Sequence, residues 1–185
     1  MAYSAGTSFR DSMEIGQAGE QLVRDSFLAR GYSVEDLTGD ENWQAMDVDF
    51  LLIAPDGTKH LADVKTDTES WDTKNILLEV RMHRLRTGQA TEGWYTDSAM
   101  DLLLYLCAGT GWLYEIDFDC LRRLVNAGLG RFTRFKNPID PDCIGEGILV
   151  PIDALERSPA LLHRSKLDTS CLWKYEWRRE KPPPF

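Results

Sequence analysis

The chain has 185 residues, 43% of them apolar, and a formal net charge of −9; that length and composition describe one domain with a full core and exclude a disordered chain. No run approaches the roughly 20 apolar residues that span a bilayer, and Met1 to Met13 lacks the basic flank and apolar centre of a signal peptide. Cys107, Cys120, Cys143 and Cys171 are too irregularly spaced for a zinc site or a disulfide framework, so free thiols in a cytoplasmic setting are expected.

The first element in chain order is a helix. Ile15, Ala18, Leu22, Val23 and Phe27 recur at helical spacing in a run ending near Arg30, and Gly31 stops it. Gly16 and Gly19 fall inside this pattern, so their spacing reads as close packing of helix on sheet and not as a phosphate loop. Glu20 lies on the border of the apolar stripe, where a carboxylate can lean over a packed sheet. Tyr32-Ser33-Val34 starts a short strand.

Residues 47 to 65 read as a β-hairpin. Side chains alternate along a strand, so Asp47, Asp49, Leu51 and Ile53 share one face, as do Leu61, Asp63 and Lys65. Pro55-Asp56-Gly57 suits a three-residue loop with Gly at the positive-φ position. Closing it with Ala54 opposite Thr58 places Leu51 opposite Leu61, Asp49 opposite Asp63 and Asp47 opposite Lys65. Two directly opposed carboxylates stand about 5 Å apart, and at an effective dielectric near 20 they repel by roughly 3 kcal/mol. One of them holds a proton, or a cation sits between them; magnesium is commonly held by one or two carboxylates plus substrate phosphates. The structural alternative is an exposed face on which Lys65 merely pairs with Asp47, worth little. The apolar Leu51, Ile53 and Leu61 on that face favour a covered site.

Beyond the hairpin, Asp101 to Cys107 reads as a buried strand, Ala108 to Gly111 as a turn, and Trp112 to Ile116 as the returning strand. Asp117 or Asp119 caps a short helix from Cys120 to Asn126. Residues 129–147 look loop-rich, with Asn137-Pro138-Ile139-Asp140-Pro141 and several glycines. Ile148 to Ile152 reads as a strand and Asp153 to Leu162 as a helix. The single domain covers 1–180, and 181–185 form a proline-rich mobile tail. His60, His83 and His163 recur at no ligand spacing and read as ordinary surface or packing residues.

An aspartate strand followed by Asp63-Val64-Lys65 on the next strand, preceded by a helix carrying Glu20, resembles the PD-(D/E)XK nuclease superfamily. Thr73-Lys74-Asn75-Ile76-Leu77-Leu78-Glu79 is similar to the Thr-Gly-Asn-Ile-x-x-Glu segment of a phage-type branch, with Lys74 in place of glycine. Gly93-Trp94, followed by Ala99-Met100-Asp101, also fits that branch, and the resemblance covers roughly residues 12 to 117. It implies an α/β fold: a restriction-endonuclease-like core, with a mixed β-sheet flanked by helices and here a loop-rich C-terminal extension. It implies Mg2+- or Mn2+-dependent hydrolysis of nucleic-acid phosphodiesters, DNA foremost, in a chain of phage or mobile-element type. Asp49, Asp63, the Val64 carbonyl and Glu20 would hold the metal, and Lys65 would orient water or stabilise developing charge. Asp47 competes with Asp49 for the first aspartate, and Glu79 is an accessory carboxylate. The alternative is an inactive nuclease-fold module that binds protein or nucleic acid.

The charge of −9 confines any nucleic-acid affinity to local clusters, since such affinity rests largely on Lys and Arg meeting phosphates. Arg81, Arg84 and Arg86 form one cluster, and Arg178 belongs to a C-terminal group interleaved with Trp173, Tyr175 and Trp177. Arg81, Arg84 and Arg178 are therefore the candidate phosphate contacts.

Overall fold

The computed structural model describes residues 9–128 and 130–174; the proline-rich tail and Arg178 lie outside them. Helix α1 (Phe9–Ala29) starts earlier than its apolar spacing predicts and buries Ile15, Val23 and Phe27. It ends in a Schellman motif: the Tyr32 N–H reaches the Phe27 carbonyl at 3.1 Å, the Gly31 N–H reaches that of Leu28 at 3.0 Å, and Gly31 has φ +84°. The Phe27 and Tyr32 rings meet edge to face at 5.0 Å and supply the apolar contact that accompanies such a cap.

Strand β1 (Ser33–Asp36) and the short helix α2 (Glu41–Gln44) lead into β2 (Phe50–Ile53) and β3 (Lys59–Asp67). The hairpin has the expected register, with Leu51 opposite Leu61, and its loop closes through Ala54 and Thr58 with Gly57 at φ +87°. Regular pairing stops at Phe50 opposite Ala62. Neither Asp49 nor Asp47 is consequently a strand residue, and the expected pairs Asp49–Asp63 and Asp47–Lys65 are absent from the ladder; Asp47 sits in the turn before β2 at φ +50°.

A short turn of helix, α3 (Ser70–Thr73), precedes the long strand β4 (Asn75–Arg84), which pairs with β5 (Ala90–Glu92); α4 (Trp94–Asp97) then crosses to β6 (Leu102–Cys107) and β7 (Trp112–Asp117). The apolar run of β6 is buried at all six positions. Helix α5 (Phe118–Ala127) is capped by Asp117, whose carboxylate accepts the Cys120 N–H. Residues 129–147 are not the loop their composition predicts: most of the stretch belongs to β8 (Thr133–Asp140) and β9 (Cys143–Pro151). Pro138 is tolerated because β8 is an edge strand. Gly147 belongs in β9 because a Cβ there would lie 2.6 Å from the Phe135 ring and 2.8 Å from the Leu78 carbonyl oxygen. The helix expected over 153–162 is only α6 (Ile152–Glu156), since Pro159 turns the chain into β10 (Leu161–Lys166), which pairs with β7. A 3-10 turn at Ser170–Lys174 places Leu172 in the core.

The strands form two sheets, one ordered β1-β2-β3-β6-β7-β10 and one ordered β5-β4-β9-β8. The first is mixed, its β3–β6 pair parallel and its other pairs antiparallel. Helix α1 covers one of its faces through Phe50, Leu52, Val64, Leu104 and Leu106. The second sheet and α5 cover the other, with Ile76, Leu78, Ile148 and Val150 against Leu103, Tyr105 and Ile116. The fold is thus α/β, two sheets flanked by helices. Among the described residues no helix is long and apolar enough to cross a membrane, and the four cysteines carry no disulfide.

Candidate active site

Alternation along β3 sends Ala62 and Val64 toward α1 and leaves Asp63 and Lys65 on the opposite side, toward the second sheet. Asp63 is 2% exposed, and Lys65 extends over it with Nζ 2.7 Å from Oδ2 and 2.9 Å from Oδ1. Because β2 stops at Phe50, the Val64 N–H has no strand partner on that side. The Asp49 carboxylate takes its place, accepting that N–H at 2.8 Å. This bond holds the Asp49 carboxyl within hydrogen-bonding reach of Asp63.

Glu20 arrives from the other layer. A Cβ on Gly19 would lie 1.9 Å from Thr66 Oγ1, so only glycine lets α1 seat this closely on β3. The next residue then lies within electrostatic reach of Asp49 and Lys65. From the second sheet, Glu79 precedes a bulge in β4, and Gly93 permits the close approach of α4, a Cβ there falling 2.5 Å from the Glu79 carbonyl oxygen. This contact places the Trp94 ring 5.5 Å from Lys65 Nζ. Thr68, Glu69, Leu77, Glu79, Trp94 and Tyr105 line a groove of about 300 Å³ beside the lysine.

Lys65 therefore stands among five carboxylates. Burial pushes Asp63 up to about 7, with Lys65 opposing and Asp49 adding to the rise. Burial likewise raises Glu20 to about 7, with Asp49 adding and Lys65 opposing. Asp49, Asp47 and Glu79 are all raised by burial, against the attraction of Lys65. Burial works against the charge on Lys65, but Asp63, Asp49 and Asp47 outweigh it and its pKa is raised. The lysine stays charged while the acids around it compete for protons.

Among the described residues no three side chains of His, Cys, Asp or Glu converge as a ready-made metal cage. The Asp49–Asp63 pair nonetheless fits a hard divalent cation: the two carboxyls lie within hydrogen-bonding reach of each other, and Asp63 is buried. Magnesium takes one or two carboxylates and fills its remaining positions with water and substrate oxygens.

Of the sequence candidates, the structure brings Glu20, Asp47, Asp49, Asp63, Lys65 and Glu79 into one electrostatic cluster. It does not bring in Arg81, whose guanidinium binds Glu92 across the β4–β5 pair at 2.5 and 3.1 Å. Arg84 stands exposed at the end of β4. Trp94 was legible only as part of a Gly-Trp motif, and no sequence signal marks it as the wall beside Lys65.

No family model matches the chain, and no curated protein matches it. Among solved structures, a bacterial homing endonuclease, I-Ssp6803I, is similar at 18% identity and a TM-score of 0.45, the match covering 58% of this chain and 70% of that one.

Proposed function

We propose that the chain is a Mg2+- or Mn2+-dependent nuclease of the PD-(D/E)XK type that hydrolyses phosphodiester bonds in nucleic acid, DNA foremost. The observation that carries this reading is the buried Asp49–Asp63 pair under Lys65, with Glu20 of the first helix within electrostatic range of it. Asp49 and Asp63 would hold the ion, together with the Val64 carbonyl and with Glu20 directly or through water. When bound, the ion polarises the phosphate and lowers the pKa of the attacking water. Asp49 is kept in place by the Val64 N–H, and Asp63 by its position inside β3, so neither has to reorganise. Lys65 donates from Nζ, and its persistent charge stabilises negative charge that develops on the phosphate as the bond breaks. Glu20, with a pKa near 7, can accept a proton at neutral pH.

The test is turnover of single-stranded, duplex and branched substrates with Mg2+ and with Mn2+, for wild type and Lys65→Ala. Metal-dependent cleavage that Lys65→Ala abolishes, with nucleic-acid affinity and fold retained, is the expected result. Equal rates in the two proteins would refute the role of Lys65. The net charge of −9 favours a second reading, an inactive module that binds a protein; it is distinguished by the absence of cleavage of any substrate with either metal.

A further inference from the structure

We infer that Lys65 holds the cation's place on Asp63 while no metal is bound, and that Trp94 is the positioning residue that receives its ammonium once a metal displaces it. For the metal site this rests on the nuclease reading above. Nζ lies 2.7 Å from Asp63 Oδ2 and 2.9 Å from Oδ1, so it spans both oxygens of the carboxylate as a chelated ion would. The Asp63 side chain is 2% exposed and that of Lys65 27%, so the ammonium stands between the carboxylate and solvent.

A metal ion and this ammonium cannot share the carboxylate. Magnesium bonds oxygen at about 2.1 Å; on either Asp63 oxygen it would stand at most about 5 Å from Nζ as the lysine now lies. In a buried site two cations at that range repel strongly. Nζ would also fill coordination positions that belong to water or substrate oxygens. Asp49 is fixed by the Val64 N–H and Asp63 by its place in β3, whereas the lysine rides on a flexible four-carbon stem. The lysine is the part that moves.

Its destination is the groove at its side, which Glu69, Glu79 and Trp94 line together with Lys65. The Trp94 ring centre lies 5.5 Å from Nζ, within the range of a cation–π contact. Lys65 already attracts the Glu79 carboxylate electrostatically. The indole cannot retreat from the ammonium: Gly93 seats α4 against the Glu79 carbonyl, and the Phe118 and Tyr95 rings stand 6.4 and 6.5 Å from that of Trp94. Trp94 therefore offers the displaced ammonium a fixed seat beside the metal, where its charge stays next to the reacting phosphate.

The experiment uses the full chain and Mg2+ alone, with affinity read by titration calorimetry at about pH 9, where protons do not compete for the carboxylates. Lys65→Met removes the competing charge and should bind Mg2+ on the order of tenfold more tightly than wild type. Lys65→Arg keeps a cation on Asp63 and should bind no more tightly than wild type. In wild type itself Mg2+ should change the tryptophan emission, a readout that depends on the folding of no variant. Trp94→Phe should remove that change and keep Mg2+ affinity within about twofold, whereas Trp94→Leu, with no ring, should bind about threefold to fivefold more weakly. The inference is overturned by a Lys65→Met protein that binds Mg2+ no more tightly than wild type, by an emission that Mg2+ leaves unchanged, by a Trp94→Leu protein that binds as wild type does, or by no Mg2+ binding at all. Metal-dependent cleavage by wild type would in that event leave the nuclease reading standing. Binding and emission that respond as stated, in a wild type that cleaves nothing, would sink the nuclease reading and leave the displacement of Lys65 standing.

Discussion

The substitution Asp63→Asn isolates the charge on one buried side chain. Burial raises the Asp63 carboxyl from its ordinary value of 3.8 to about 7, so the folded chain holds that proton more tightly than the unfolded chain does. The stabilisation is present in full below the unfolded pKa near 3.8 and is lost as pH rises through about 7. A difference of about 3 units at 1.36 kcal/mol each is on the order of 4 kcal/mol. Asparagine has the shape of the protonated acid and never ionises, so the variant keeps this stabilisation at alkaline pH. Its weaker contact with Lys65 offsets part of the gain, although that lysine retains Asp49 and Asp47 as neighbours. For a chain of this size 1 kcal/mol moves Tm by roughly 2–4 °C; at pH 8 in EDTA the variant should therefore melt at least about 5 °C above wild type. Near pH 4 the two should melt together. Magnesium or manganese should then reverse the ranking, raising the Tm of wild type and leaving the variant where it was. Calorimetric melts at both pH values, with and without metal, check this. A variant that melts below wild type at pH 8 without metal, or one that gains as much from metal, would refute the argument.

Metal binding should release protons and tighten between about pH 6 and 8, because Glu20 and Asp63 both titrate near 7; titration calorimetry in buffers of different ionisation heat measures the release, and a buffer-independent heat would count against it. Gly19→Ala should cost roughly 1–3 kcal/mol and depress turnover, since its methyl would collide with Thr66 and lift α1, with Glu20, away from β3; adding Thr66→Ala should recover most of the stability, and a fully stable single variant would show that the helix seats differently. Arg30→Ala should destabilise by about 3 kcal/mol in urea unfolding, because it strands Glu115, whose side chain is 8% exposed and which Arg30 holds at 2.5 and 3.2 Å. Arg30→Ala/Glu115→Gln should regain part of that loss, and a cost under about 0.5 kcal/mol for the single variant would place the pair among weak surface contacts.

The sequence carried the part of the site that depends on local rules. Strand parity, the Pro-Asp-Gly loop and the border position of Glu20 are properties of residues within one or two turns of each other, and the hairpin register follows them. Asp47 defeated the parity rule because the chain leaves the extended conformation before β2, at a positive φ that alternation cannot foresee. The β8–β9 hairpin was hidden by its composition: Pro138 and the glycines argue for a loop until a neighbouring strand makes an edge and a close approach of them. Lys74 shows the reverse case. It stands where the resemblance expects glycine, and its backbone does adopt the left-handed region at φ +55°. The place of Trp94 beside Lys65 arises from contacts between elements far apart in sequence, which no periodicity reports.

The arrangement of β4 bears on how the chain is born. Its partner on one side, β5, follows within a few residues, whereas its partner on the other, β9, comes some sixty residues later. During synthesis α1 and the β2–β3 hairpin can form early, but β4 waits with one edge open and Ile76 and Leu78 unburied until Cys143–Pro151 has left the ribosome. Such distant pairing is slow, and an unpaired apolar edge is the surface on which nascent chains associate. Fragments ending before residue 143 should accordingly be recovered as aggregates, and the carboxylate cluster around Lys65 would complete itself only after Cys143–Pro151 has emerged, when Glu79 is pinned opposite Gly147.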